Sequence, residues 1–95
     1  MKLTIKRSGE FKRDVKRIIK RGIDLSELTN VINMLANGET LPEKYKDHAL
    51  ENSRNYKNKR ECHVHTDLLL VYQILDDVLI LDLVRLGTHS DLFRK

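Results

Sequence analysis

Apolar and polar residues alternate over Lys2 to Arg7, with Leu3 and Ile5 on one side and Lys2, Thr4 and Lys6 on the other, which predicts a short strand. Ser8 then stands as a helix N-cap. Phe11, Val15, Ile18 and Ile19 recur at helical spacing among lysines and arginines, and Gly22 ends that helix. Asp24 opens a second helix, with Glu27 at the spacing of a capping box; its apolar stripe is Leu25, Leu28, Val31, Ile32 and Leu35, and Asn37-Gly38 stops it. The connection is so short that the two helices should pack antiparallel.

Glu39 to Asn58 has no period and reads as a long loop around Pro42, Asn52, Ser53 and Asn55, with a short strand near Tyr56. From Lys59 the period becomes two: Cys62 and Val64 face one way, Glu61, His63 and His65 the other. Leu68 to Ile74 is apolar on both faces, as in a central strand; Leu75-Asp76-Asp77 turns the chain and Val78 to Val84 returns. Gly87-Thr88 breaks that strand, and His89 to Phe93 forms a closing turn or short helix. The order predicts one α+β domain over residues 1–95, β-α-α-β-β-β with room for one more strand, its two helices packed on an antiparallel sheet.

Charge changes this picture. The net charge of the 95 residues is +4, but it is unevenly placed. Residues 1–21 hold nine Lys or Arg against Glu10 and Asp14, and residues 44–60 hold six against Asp47 and Glu51, whereas residues 61–84 hold five acids and no Lys or Arg. A surface this basic attracts a polyanion such as RNA, although lysines and arginines between apolar helix positions are also what an ordinary solvated face looks like. A lone cysteine, Cys62, excludes an internal disulfide and points to a reducing cytoplasm. The longest apolar run, Leu68 to Tyr72, is too short for a membrane span, and the start of the chain has no signal-peptide core.

The four histidines, His48, His63, His65 and His89, all lie in the second half, three of them beside carboxylates. Histidine exchanges protons near neutral pH, and RNA brings its own nucleophile in the 2′-OH, so such a set suits RNA cleavage. Glu61, His63 and His65 share a strand face, with Asp67 just beyond. His-x-His beside a carboxylate also suggests zinc, but Cys62 points the other way and there is no second ligand pair, so no metal and no cofactor are expected. Arg85 follows an apolar strand and would hold a phosphate at the sheet end. Tyr45 and Tyr56 read either as base-stacking residues or as buried edge aromatics.

Three segments in order resemble the YafQ-type toxins, a branch of the RelE/ParE superfamily: Tyr45-Lys46-Asp47-His48-Ala49-Leu50, Arg60-Glu61-Cys62-His63-Val64 with Asp67 following, and Arg85-Leu86-Gly87-Thr88-His89-Ser90-Asp91-Leu92-Phe93. The likeness runs nearly end to end. It implies the RelE-like fold and the toxin of a type II toxin–antitoxin pair: a ribosome-dependent mRNA endonuclease that needs no metal, in which the 2′-OH attacks the neighbouring phosphate. Matched motif by motif, it implies catalytic roles for His48, His63, Asp67 and His89, with His89 as proton donor and Asp67 orienting His63. Lys46, Arg85, Phe93 and Glu61 become substrate-binding residues. Glu61 stands where close relatives carry Asp, one methylene shorter, and His65 receives no role. The resemblance also implies a neutralising antitoxin with an acidic segment against residues 12–21, and a toxin–antitoxin complex that binds its own operator DNA through the antitoxin. Two binding modes without cleavage remain open beside it: a gyrase-directed toxin of the same superfamily, and a ribosome- or RNA-binding domain.

Overall fold

Ser8 fixes the start of the first helix and ties it to the sheet. In the computed structural model, which describes residues 2–50 and 56–93, its hydroxyl accepts from the Phe11 N–H at 2.9 Å and donates to the Val84 carbonyl at 2.7 Å. Helix α1 (Gly9–Lys20) buries Phe11, Asp14 and Ile18 and ends before Gly22, whose φ of 80° needs a residue without Cβ. Helix α2 (Ser26–Ala36) buries Leu28, Val31, Leu35 and Ala36. Its start departs from the expected capping box. Asp24 instead accepts from the Ser26 N–H at 2.9 Å, and Glu27 accepts the Tyr45 hydroxyl rather than reaching back.

The sheet has five strands in the order β1-β5-β4-β3-β2: β1 (Thr4–Arg7), β2 (His48–Ala49), β3 (Arg60–His65), β4 (Leu68–Leu75) and β5 (Ile80–Gly87). β2 to β5 pair antiparallel as expected, but β1 runs parallel to β5, so the sheet is mixed. Alternation in Leu3 and Ile5 shows a strand without showing its partner. The α1–α2 hairpin crosses one face of the sheet and joins β1 at one edge to β2 at the other. A closing helix, α3 (His89–Phe93), follows β5.

Two further boundaries differ from the sequence reading. The short strand of the loop region is His48–Ala49, preceded by a 3₁₀ turn at Glu43–Tyr45, while Tyr56 stands in a bend. The return strand begins at Ile80, because residues 76–79 form the turn; Val78 and Leu79 continue the apolar pattern but are exposed there. Glu51, Asn52, Ser53, Arg54 and Asn55 lie outside the described residues.

The two sheet faces bury different clusters. Cys62, Val64, Leu68, Leu70, Tyr72, Leu81, Leu83 and Leu86 pack with α1 and α2, each fully buried aliphatic side chain contributing about 1.5–3 kcal/mol. Tyr56, Leu69, Val71 and Leu92 form a smaller cluster on the other face, with Leu50, Val84 and Phe93 against it. Burial also raises the Cys62 thiol to about 12. Among the described residues, no helix is long and apolar enough to cross a membrane.

Candidate active site

The segment Tyr45-Lys46-Asp47-His48 alternates between residues that hold and residues that are presented. Tyr45 is buried and donates its hydroxyl to Glu27 of α2. Asp47 accepts from Arg60 at 3.1 and 3.3 Å and from the Tyr72 hydroxyl. Burial and this carboxylate together push the Tyr72 phenol well above its usual range. Lys46, between these two anchors, is held in the left-handed region (φ 49°), which costs a non-glycine residue about 1 kcal/mol, and its side chain is exposed. The His48 Nδ1 lies 2.7 Å from the Lys46 carbonyl oxygen. A carbonyl only accepts, so Nδ1 carries the proton and Nε2 is the nitrogen that faces the site.

That nitrogen meets Glu61. His48 pairs with Glu61 across β2 and β3, and the Glu61 Oε1 lies 3.4 Å from His48 Nε2 and 3.7 Å from His63 Nε2. Glu61 is only 4% exposed, a buried carboxylate with an imidazole on either side. The two rings stand 6.3 Å apart. Beside them an open groove of about 390 Å³ is lined by Lys44, Tyr45, Lys46, His63, Val64, His65 and Thr66, with Glu27. A β-bulge between His63 and His65 breaks the regular alternation. Beyond it, His65 Nε2 sits 3.3 Å from the Asp24 carbonyl oxygen.

His89 stands on the far side of β4. His63 pairs with Leu69, and Leu69 with Gly87, so His63 and the end of β5 are two strand spacings apart, roughly 10 Å. The His89 ring lies 5.0 Å from that of Phe93, which meets Tyr56 edge-on at 5.7 Å. Asp67 does not orient His63 in this arrangement. It lies in the β3–β4 turn and accepts from the His89 backbone N–H at 3.4 Å.

Arg85 also stands apart from the phosphate position expected for it. Its Nε and Nη2 donate to Asp14 at 2.7 and 3.2 Å; its Nη1 donates to the Tyr56 hydroxyl at 3.2 Å and lies 3.7 Å from Glu10. Asp14 holds the Arg85 guanidinium firmly protonated, above its ordinary range. Charge patterning hides Asp14, one of two acids among the nine basic residues of 1–21. It is 2% exposed on the apolar face of α1, and the one signal was its place between Phe11 and Ile18. Arg17 adds a bond to Asp14 at 3.0 Å, so the charges of Arg17 and Arg85 are both met by Asp14, while Lys12, Arg13, Lys16 and Lys20 face solvent.

Tyr45 and Tyr56 are both buried, as edge aromatics rather than stacking platforms. Among the described residues no group of three His, Cys, Asp or Glu side chains is placed to hold a metal ion. The arrangement supplies two histidines sharing one carboxylate, an exposed lysine beside them, and a third histidine with an aromatic ring on the far side of β4.

Known proteins resemble this chain in sequence and shape. A family model described as the bacterial toxin of type II toxin–antitoxin system, YafQ, matches residues 3–94. The mRNA interferase toxin YafQ of Escherichia coli K12 is 39% identical over 90 residues, covering 94% of each chain. The toxin in the crystal structure of the Escherichia coli DinJ-YafQ toxin–antitoxin complex superposes with a TM-score of 0.86 at 37% identity, over 98% of this chain and 99% of that one. A metal-bound toxin from Helicobacter pylori superposes with a TM-score of 0.87 at 49% identity, over 96% and 99%. The chain belongs to the YafQ family of bacterial toxins of type II toxin–antitoxin systems.

Proposed function

We propose that this toxin is an endoribonuclease that cuts translated mRNA on the ribosome. The observation that carries the reading is the buried Glu61 carboxylate between His48 and His63, next to an open groove that His63 and Lys46 line, with His89 and Phe93 across β4. The mRNA interferase name of its relatives supports the same reaction.

In-line cleavage needs a base for the 2′-OH, a cation for the phosphate oxygens and an acid for the leaving oxygen. The His48–Glu61–His63 trio takes the 2′-OH proton. The 2′-oxygen then forms a bond to the adjacent phosphorus as the bond to the 5′-oxygen breaks. His89 donates its proton to that 5′-oxygen, and a 2′,3′-cyclic phosphate remains. Lys46 lies beside the non-bridging oxygens, and Phe93 packs against a base. Asp67 acts through the His89 backbone instead of on His63. Arg85, whose charge is met by Asp14, supports the site from below. No metal takes part in these steps.

The toxin works in the cytoplasm and is neutralised by its own antitoxin, as the Escherichia coli relative is seen in complex with DinJ. An acidic antitoxin segment complements Lys12, Arg13, Lys16 and Lys20 on α1. The complex binds its operator through the antitoxin. The test is cleavage of mRNA on programmed ribosomes by wild type and Glu61→Gln. The variant keeps the size of Glu61 and removes its charge, so cutting should fall roughly 10²-fold or more. Equal cutting by both proteins would refute the role of the trio.

A further inference from the structure

His89, the residue that must meet the leaving oxygen, sits on a helix of five residues, too short to hold itself in water. What fixes it is a set of contacts around Asp91. The Thr88 N–H donates to Asp91 Oδ2 at 2.9 Å, and the Asp91 N–H donates back to the Thr88 hydroxyl at 3.1 Å, a reciprocal cap on α3. Gly87 makes room for it: a Cβ there would fall 2.9 Å from the Asp91 Cβ and 3.0 Å from its Oδ2. The same carboxylate is gripped from outside α3. Arg21, at the end of α1, donates through Nη1 and Nη2 to Asp91 Oδ2 and Oδ1 at 2.9 and 3.2 Å, and Arg17 stands 3.8 Å away.

We propose that Arg21 and Asp91 are positioning residues for the proton donor: the two-pronged clamp from α1 sets the orientation of α3, and with it the His89 imidazole and the Phe93 ring. The inference rests on the endonuclease reading above, in which His89 is the acid. The geometry favours positioning over substrate contact, because both prongs of the Arg21 fork face Asp91. Arg21 holds the Asp91 carboxyl far below the usual carboxylate range, in agreement with a standing pair. A surface ion pair adds little to global stability, so its consequence is local. It decides whether a five-residue helix keeps one orientation, and an ångström of misplacement of a reacting group can cost up to 10²-fold in rate.

The test is the kinetics of mRNA cutting on programmed ribosomes, well below the melting temperature, by wild type, Arg21→Glu, Arg21→Gln, Arg21→Lys and Asp91→Asn, with His89→Ala as reference. Arg21→Glu should lower kcat roughly tenfold or more while KM stays within about twofold, and the His89 and Phe93 ring resonances should shift. Arg21→Lys, which keeps the charge without the fork, should recover part of the rate. Asp91→Asn, which retains an oxygen for the cap, should resemble Arg21→Gln. If Arg21→Glu fails to fold, Arg21→Gln decides by the same criteria. Unchanged kcat, or a rise in KM alone, overturns the clamp, the latter by making Arg21 a substrate contact. Wild type that cuts no mRNA refutes the endonuclease reading. Wild type that cuts, with an inert His89→Ala and a fully active Arg21→Glu, refutes the clamp alone.

Discussion

Truncating Asp14 should destabilise this small domain more than any change at the histidines. Its carboxylate is 2% exposed and accepts four bonds: Arg85 Nε at 2.7 Å, Arg85 Nη2 at 3.2 Å, Arg17 Nη2 at 3.0 Å and the Leu86 N–H at 2.9 Å. Asp14→Ala leaves a guanidinium and a backbone donor beneath α1 without an acceptor. Removing one partner of a buried ion pair typically costs 3–5 kcal/mol. Arg85 keeps 18% of its side chain in solvent and Arg17 keeps 39%, so the lower end applies, about 3 kcal/mol. For a domain of this size that is roughly 15 °C in Tm. Thermal and urea unfolding of wild type, Asp14→Ala, Arg85→Met and the double variant provide the assay. If Arg85 supports the fold, each single change lowers Tm strongly, and the double variant loses much less than the two combined. Two outcomes would refute this: Asp14→Ala within about 3 °C of wild type, or Arg85→Met that keeps full Tm and only raises KM.

Further expectations concern individual side chains. Gly87→Ala should cost about 1–3 kcal/mol by pushing against Asp91, measured by urea unfolding, and should lower cutting in parallel. Arg21 depresses the Asp91 carboxyl in the folded protein, so that contribution is present above the unfolded value near pH 4 and is lost as the pH falls further. Wild type should therefore lose up to about 1 kcal/mol relative to Asp91→Asn between about pH 4 and pH 2, seen as converging acid unfolding curves. Cys62, buried and raised to about 12, should resist iodoacetamide at pH 8 in the native protein and react only on unfolding, followed by mass spectrometry.

Periodicity located both long helices and the β3–β4–β5 run because each has one buried stripe or a doubly buried strand, as the packing of Ile18, Val31, Leu70 and Leu83 shows. It did not show that β1 is parallel to β5, since a four-residue edge strand carries no mark of its partner. Val78 and Leu79 misled the strand boundary because apolar residues in a tight turn look like strand continuation. In the site, the histidines were legible as chemistry, but their grouping was not. His48 and His63 meet through Glu61, whereas Asp67 meets the His89 backbone; both depend on pairing registers set by tertiary structure. Arg85 looked like a phosphate ligand because its partner Asp14 lies 71 residues earlier, on a helix that reads as solvated and basic. The alternation in Tyr45-Lys46-Asp47-His48, two residues held and two presented, was visible in principle as a period of two inside a supposed loop.

The most direct test of the account is end mapping of a defined mRNA on programmed ribosomes, incubated with wild type or His89→Ala. The account predicts new 5′-hydroxyl ends and matching 2′,3′-cyclic phosphate ends with wild type, falling roughly 10²–10⁴-fold with His89→Ala. Translation arrest without new RNA ends, or the same cutting rate from both proteins, would contradict it.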